Sequence, residues 1–161
     1  MVGAVGERVA VEHEERSLGH GARRYTIGLV HRLTLRTERR EEMVDITAEL
    51  AAAVAELGVA DGAVLVHVPH TTAAVTVNEG YDPDVAADVV RDLSQRVPRD
   101  AGYAHAEGNS DSHIKAILVG CSQVIPVEGG KPALGRWQRV FFCEFDGPRS
   151  REVWVSPLGR N

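Results

Sequence analysis

The chain has 161 residues, with 23 acidic against 18 basic side chains, a net charge of −5 with neutral histidines. That length fits one domain with a sizeable core, and the negative balance argues against a global attraction to nucleic acid or anionic lipid. No apolar run reaches the ~20 residues of a membrane helix, the N-terminus shows no export signal, and the two cysteines, Cys121 and Cys143, form no CxxC motif, so a cytoplasmic protein is expected.

Residues 1–23 are rich in charge, Gly and Ala and lack periodicity. They are expected to form a flexible leader, with 24–161 as a single domain. His13 and His20 fall in that leader and read as solvated. Tyr25, Ile27, Leu29, Leu33 and Leu35 alternate, which predicts a strand with His31 on its surface. Arg23-Arg24 and Arg39-Arg40 are flanked by acids and read as solvated faces. Ile46, Leu50, Val54 and Leu57 recur at helical spacing, with Asp45 or Thr47 as the cap and Gly58 as the stop.

Asp61-Gly62 marks a turn. The run Val64-Leu65-Val66-His67-Val68 is β-branched and has apolar residues on both faces, which predicts a strand buried on both sides. Val75 and Val77 predict another strand, ending at Asn78-Glu79. Asp82-Pro83 opens a helix with Val85, Val89 and Leu93 on one face, which ends near Pro98. Residues 99–112 read as a polar loop, and 113–119 as a short helix stopped by Gly120. Val124 to Val127, Arg139 to Phe145 and Glu152 to Val155 predict strands. Glu128-Gly129-Gly130-Lys131 is read as a hairpin turn, because it lacks the Walker spacing of a phosphate loop. Strands pair at both ends of the chain around two main helices. That order predicts an α+β domain with largely antiparallel sheet layers.

The chemistry concentrates in the histidines. His70 stands just past a strand end and is followed by Thr71 and Thr72. His105 and His113 flank a loop dense in oxygen donors, including Asn109. Three neutral imidazoles suit zinc and leave a coordination position open. Histidine can equally act without metal, as a general acid or base, or His70 can be a strand-end residue beside a merely polar loop. His67, three residues before His70, is assigned to the core or an interface. Glu79 is a candidate general base or a solvated turn residue, and Asp88 a candidate proton carrier or a solvent-facing carboxylate. Trp137 reads as a packing anchor or a ligand stacker. Glu144, Asp146 and Arg149 surround the Gly147-Pro148 turn, where Arg149 braces the turn or binds an anion.

Six stretches, taken together, resemble the YjbQ-like proteins. They are His70-Thr71-Thr72-Ala73, Asn78-Glu79 through Val85, Glu107-Gly108-Asn109 through Lys115, Ile125-Pro126-Val127, Leu134 through Gln138, and Glu144-Phe145-Asp146-Gly147-Pro148-Arg149. They occur in matching order over residues 25–156. The resemblance implies a compact α+β fold, a homotrimer, and a polar site in which His70, His105 and His113 hold a divalent metal, with zinc expected. The family is often labelled secondary thiamine-phosphate synthase, an activity that joins a pyrimidine pyrophosphate to a thiazole phosphate. On that basis the expected ligand is a small phosphorylated metabolite. Glu79 or Asp88 would move protons, and Thr71, Thr72, Asn109 and Gln138 would orient the substrate. Phosphoester hydrolysis and non-catalytic capture of an anionic metabolite are the rival readings. Arg136 departs from the family pattern, in which a smaller residue is usual.

Overall fold

The computed structural model describes residues 30–158. The expected leader, and Tyr25, Ile27 and Leu29 of the first predicted strand, lie outside the described residues. The order is β1 (His31–Arg36), β2 (Glu42–Asp45), α1 (Thr47–Glu56), β3 (Gly62–His67), β4 (Ala73–Glu79), α2 (Pro83–Arg96), α3 (Ser110–Val119), β5 (Ser122–Glu128), β6 (Lys131–Pro132), β7 (Gln138–Glu144) and β8 (Ser150–Leu158). The α+β expectation holds, with a third helix of the same length as α1.

All strand pairing is antiparallel, in two sheets. One has the order β1-β8-β3-β5-β6 and the other β2-β7-β4. Val64, Val66, Val153 and Val155 from the large sheet meet Val75, Val140 and Phe142 from the small one, and Leu50, Ala53 and Val54 of α1 complete this first core. The intervening residues Ala74, Phe141 and Cys143 point the other way, into a second core with Ala116 of α3 and, at its edge, Leu93 of α2. Period-two alternation thus sends successive residues of β7 into different cores.

The strand buried on both faces is therefore β7, not β3 as its sequence suggested. On β3 only Val64 and Val66 are buried, while Ala63, Leu65 and His67 are half-buried on the other face. Ala63 and Leu65 belong to neither core among the described residues, so an apolar run there does not require a double layer. The strand β2 was not anticipated. It is four residues long with acids at both ends, too short to show a period.

Local signals fared well where the chemistry is local. The Asp45 carboxylate accepts the Thr47 backbone N–H at 2.9 Å and its hydroxyl at 2.6 Å. Thr47 Oγ1 in turn accepts the Val140 N–H at 2.9 Å, which ties α1 to β7. Gly58 adopts φ +68°, the left-handed conformation that stops a helix at low cost. Asp82 caps α2 by accepting the Asp84 N–H at 3.0 Å. Cys121 is exposed and Cys143 buried, and both are free. Burial pushes the Cys143 thiol up to about 12, which makes it inert. His31 departs from expectation: its side chain is 10% exposed and lies 3.3 Å from Glu56, on the α1 side of β1 rather than the surface.

The turn between β7 and β8 is tight. A Cβ on Gly147 would sit 2.2 Å from the backbone oxygen of Arg39 and 2.8 Å from Cγ of Glu144. Gly147→Ala is expected to destabilise the fold by about 1–3 kcal/mol, the usual cost of overpacking. A lower urea midpoint at unchanged slope would show this; an unchanged midpoint would refute it.

Candidate functional site

The described residues bury two polar networks around the ends of β7 and α3. In the first, Glu144 is fully buried on β7 and Arg151 is 6% exposed on β8. Arg151 donates to Glu144 through Nε at 2.7 Å and Nη2 at 2.5 Å, and to Thr72 Oγ1 at 2.8 Å. Glu144 also accepts the Thr37 hydroxyl at 3.0 Å and the N–H groups of Phe145 and Asp146. A charge taken this far from water needs every lone pair matched, and these partners match them. Thr72 is thus committed to Arg151, whereas Thr71 is exposed.

The second network joins three elements to the N-terminal end of α3. Arg40 donates to Asp111 at 2.9 and 3.0 Å and to Asp146 at 3.1 Å. Lys115, only 1% exposed, bridges Asp111 at 3.0 Å and Glu41 at 2.8 Å, and Glu41 accepts the hydroxyl of Ser94 on α2. Asp146 accepts the Asn109 amide at 3.0 Å and Arg149 Nη2 at 2.6 Å. Burial alone would raise the Asp146 carboxyl. The Asn109 hydrogen bond together with Arg149 and Arg40 outweighs it and holds the group below its ordinary 3.8. Arg149 braces the turn, as one of its two sequence readings has it. Arg40 is not on a solvated face: its side chain is 27% exposed and makes two ion pairs. Arg40, Asp111 and Lys115 went unrecognised as a group. Only the i, i+4 spacing of Asp111 and Lys115 hinted at it.

This second network orients Asn109, the residue preceding α3. Asn109 is 8% exposed, its side chain makes no capping bond, and its Oδ1 is buried without a hydrogen-bond partner. One helical turn on, His113 packs edge-to-face against His105, with ring centroids 5.5 Å apart and planes at 79°. The loop and the helix therefore bring two of the three predicted histidines together. His70 has a bond of its own: its Nε2 accepts the Glu152 backbone N–H at 2.9 Å. That bond uses the Nε2 lone pair and leaves the proton on Nδ1. Among the described residues, no group of three or more His, Cys, Asp or Glu side chains is arranged to hold a metal ion.

Burial, with Arg151 alongside, lowers the His70 pKa from its ordinary 6.5 against the opposing pull of Glu152 and Glu144. The unfolded chain then binds this proton at higher pH than the folded one does. His70's contribution to stability is thus present above 6.5 and lost as pH falls below it. In NMR titration the His70 Cε1 proton is expected to show a midpoint below 6.5; a midpoint above it would refute the assignment.

The remaining candidates lie apart. Glu79 pairs with Gln138 at one end of the β4–β7 ladder, and Ala73 pairs with Glu144 at the other. Six residue steps separate these ends, about 20 Å along an extended strand. Gln138 Oε1 accepts the Gly135 N–H at 2.8 Å, so it braces its own loop. Asp88 is 61% exposed on α2 and paired with Arg91 at 2.5 Å, a solvent-facing carboxylate. Trp137 is 44% exposed and meets Tyr81 edge-to-face, with centroids 4.8 Å apart, and Arg136 lies over its ring. A separate cleft of about 600 Å³ lies between α2 and β2, over Met43, Val90 and Phe141, and contains none of the histidines.

Comparison with known proteins places these features. The family model described as UPF0047 protein YjbQ-like matches residues 31–160. A UPF0047 protein of Methanocaldococcus jannaschii is 49% identical over 133 residues, covering 83% of this chain and 96% of the relative. YugU of Bacillus subtilis, a UPF0047 protein, is 44% identical over 128 residues, covering 79% and 97%. Among solved structures, a YjbQ/UPF0047 family protein of Clostridium acetobutylicum aligns with a TM-score of 0.76 and 48% identity, over 78% of this chain and 97% of that one. A hypothetical protein of Aeropyrum pernix K1 aligns with a TM-score of 0.78 and 37% identity, over 82% and 99%.

Proposed function

The chain belongs to the YjbQ-like UPF0047 family, and from that premise we propose that it binds a small phosphorylated metabolite at the N-terminal end of α3 and acts on it by histidine acid–base chemistry. The observation that carries this reading is the buried, unpartnered Asn109 Oδ1 one helical turn from the His105–His113 pair. The Ser112 and His113 N–H groups are taken by the Asn109 carbonyl, which leaves those of Ser110 and Asp111 without an intrahelical acceptor; with the helix dipole they favour a phosphoryl group. An orphaned amide oxygen calls for a donor, such as a hydroxyl or amine of the same ligand. His113 and His105 would exchange protons with that group.

Zinc or another divalent ion, implied by the family resemblance, would meet two imidazoles and one amide oxygen here. A three-histidine centre does not fit the arrangement within one chain, so no step is routed through a metal. Elemental analysis of the purified protein tests this directly: one equivalent of zinc per chain would contradict the metal-free reading. The homotrimer is retained as a proposal, supported by the exposed Ile117, Leu118 and Val124.

The test of function is a panel of phosphorylated metabolites offered to the wild type and to His113→Ala. It should include the pyrimidine pyrophosphate and thiazole phosphate pair, which reports transferase activity, and simple phosphoesters, which report hydrolysis. Turnover lost in the variant with affinity retained is the expected result. Affinity without turnover in the wild type would assign a binding protein instead, and neither would remove the proposal.

A further inference from the structure

We propose that the His105–His113 site is composite: a second copy of the chain completes it with the carboxylate of its Glu79. This rests on the site assignment above and extends it to a partner.

Three observations converge. First, the residues of chemical interest divide between two ends of one ladder. Thr72, Glu144 and Asp146, with Asn109 bonded to Asp146, gather at one end, and Glu79 and Gln138 at the other. About 20 Å of strand separates these two ends, and no hydrogen bond or ion pair joins Glu79 to His105 or His113 among the described residues.

Second, each end is unfinished, and the two deficits match in charge. At the α3 end stand the positive pole of the helix and two imidazoles able to donate hydrogen bonds, with Glu107 3.8 Å from His105 and Arg149 already paired with Asp146. At the other end only the backbone N–H of Glu79 is engaged, with Asn78. Its carboxylate has neither a hydrogen bond nor an ion pair among the described residues.

Third, both ends are flanked by exposed apolar side chains. Ile117, 80% exposed, continues the α3 face that carries His113, one turn on, and Leu118, 62% exposed, lies beside it. Tyr81, 73% exposed and two residues from Glu79, meets Trp137 edge-to-face, and the Arg136 guanidinium lies over the Trp137 ring. Aromatic residues and arginine are the types that dominate association energies. The two patches differ, so the contact is heterologous. Repeated around an axis it closes a ring with one composite site per interface.

The experiment uses the full chain in a Cys121→Ser background, since Cys143 is buried and inert. Asn78→Cys and Glu107→Cys, one on each side of the proposed contact, are co-expressed as two single-cysteine chains and treated with a short bis-maleimide. A covalent pair containing one chain of each kind is expected. The double variant should give bands that climb to a closed ring. Glu79→Lys should weaken association at least tenfold by sedimentation, with an unchanged circular dichroism spectrum. A monomeric wild type, or an oligomer without the 78–107 cross-link, overturns the composite site. Neither result touches the His113→Ala outcome, so failure here is distinguishable from failure of the site itself.

Discussion

Glu144→Gln is expected to lower the melting temperature by about 6–20 °C, and Arg151→Met by a similar amount. Each removes one half of a buried ion pair and leaves the other charged group stranded in the interior, at a cost of about 3–5 kcal/mol. For a domain of this size, each kcal/mol moves the melting temperature by roughly 2–4 °C. Glu144 is fully buried and Arg151 nearly so, so solvent screening offers little relief. Thr37 Oγ1 and Thr72 Oγ1 would lose their charged partners as well. The double variant should recover part of the loss, because no uncompensated charge remains. Thermal unfolding by circular dichroism on the four proteins checks this. Single variants that melt within 2–3 °C of the wild type would mean that the pair contributes little, and the network would need another explanation.

His113→Ala is expected to reduce turnover of the phosphorylated substrate by about 10²–10⁴-fold, the usual contribution of a positioned general acid or base. The side chain is half-buried and outside both cores, so the melting temperature should move little. The KM should change less than kcat if His113 acts on the proton in flight rather than on ground-state binding. His113→Gln separates the roles further, since glutamine can hydrogen-bond but cannot shuttle a proton at neutral pH. A Gln variant with near-normal turnover would reduce His113 to a positioning residue.

Both predictions depend on residues whose importance the sequence revealed unevenly. His113 was visible because imidazoles in a loop of oxygen donors are chemically conspicuous. Its pairing with His105 was suggested by the short stretch between them, which a loop and one helical turn can span. The bond that occupies His70 Nε2 was not visible, because its donor, Glu152, lies 82 residues away. Glu79, Gln138 and Asp88 were drawn into one site because their motifs are chemically eloquent, yet the ladder register and the outward face of α2 separate them from the histidines.

Arg40 shows the limit most clearly. Beside Arg39 and ahead of Glu41 and Glu42 it reads as one more solvated charge, and its two carboxylate partners lie 71 and 106 residues away. Nothing in its neighbourhood along the chain distinguishes it from Arg39, which stays exposed.

By itself the sequence determined that three helices form, the glycine stops of two of them, the hairpin turn, most strands and the α+β class; it began α3 three residues late and expected a side-chain cap on α1, whose N-cap position is Ile46. Each of these is decided by backbone sterics and side-chain periodicity within a few residues, so the information is local. The tertiary structure alone decided which strand is buried on both faces, which charges enter the interior, and which histidines meet. Those outcomes depend on sheet order and register, which bring groups tens of residues apart to within 3 Å of one another. A charged side chain is stable in a core only where such partners are waiting for it.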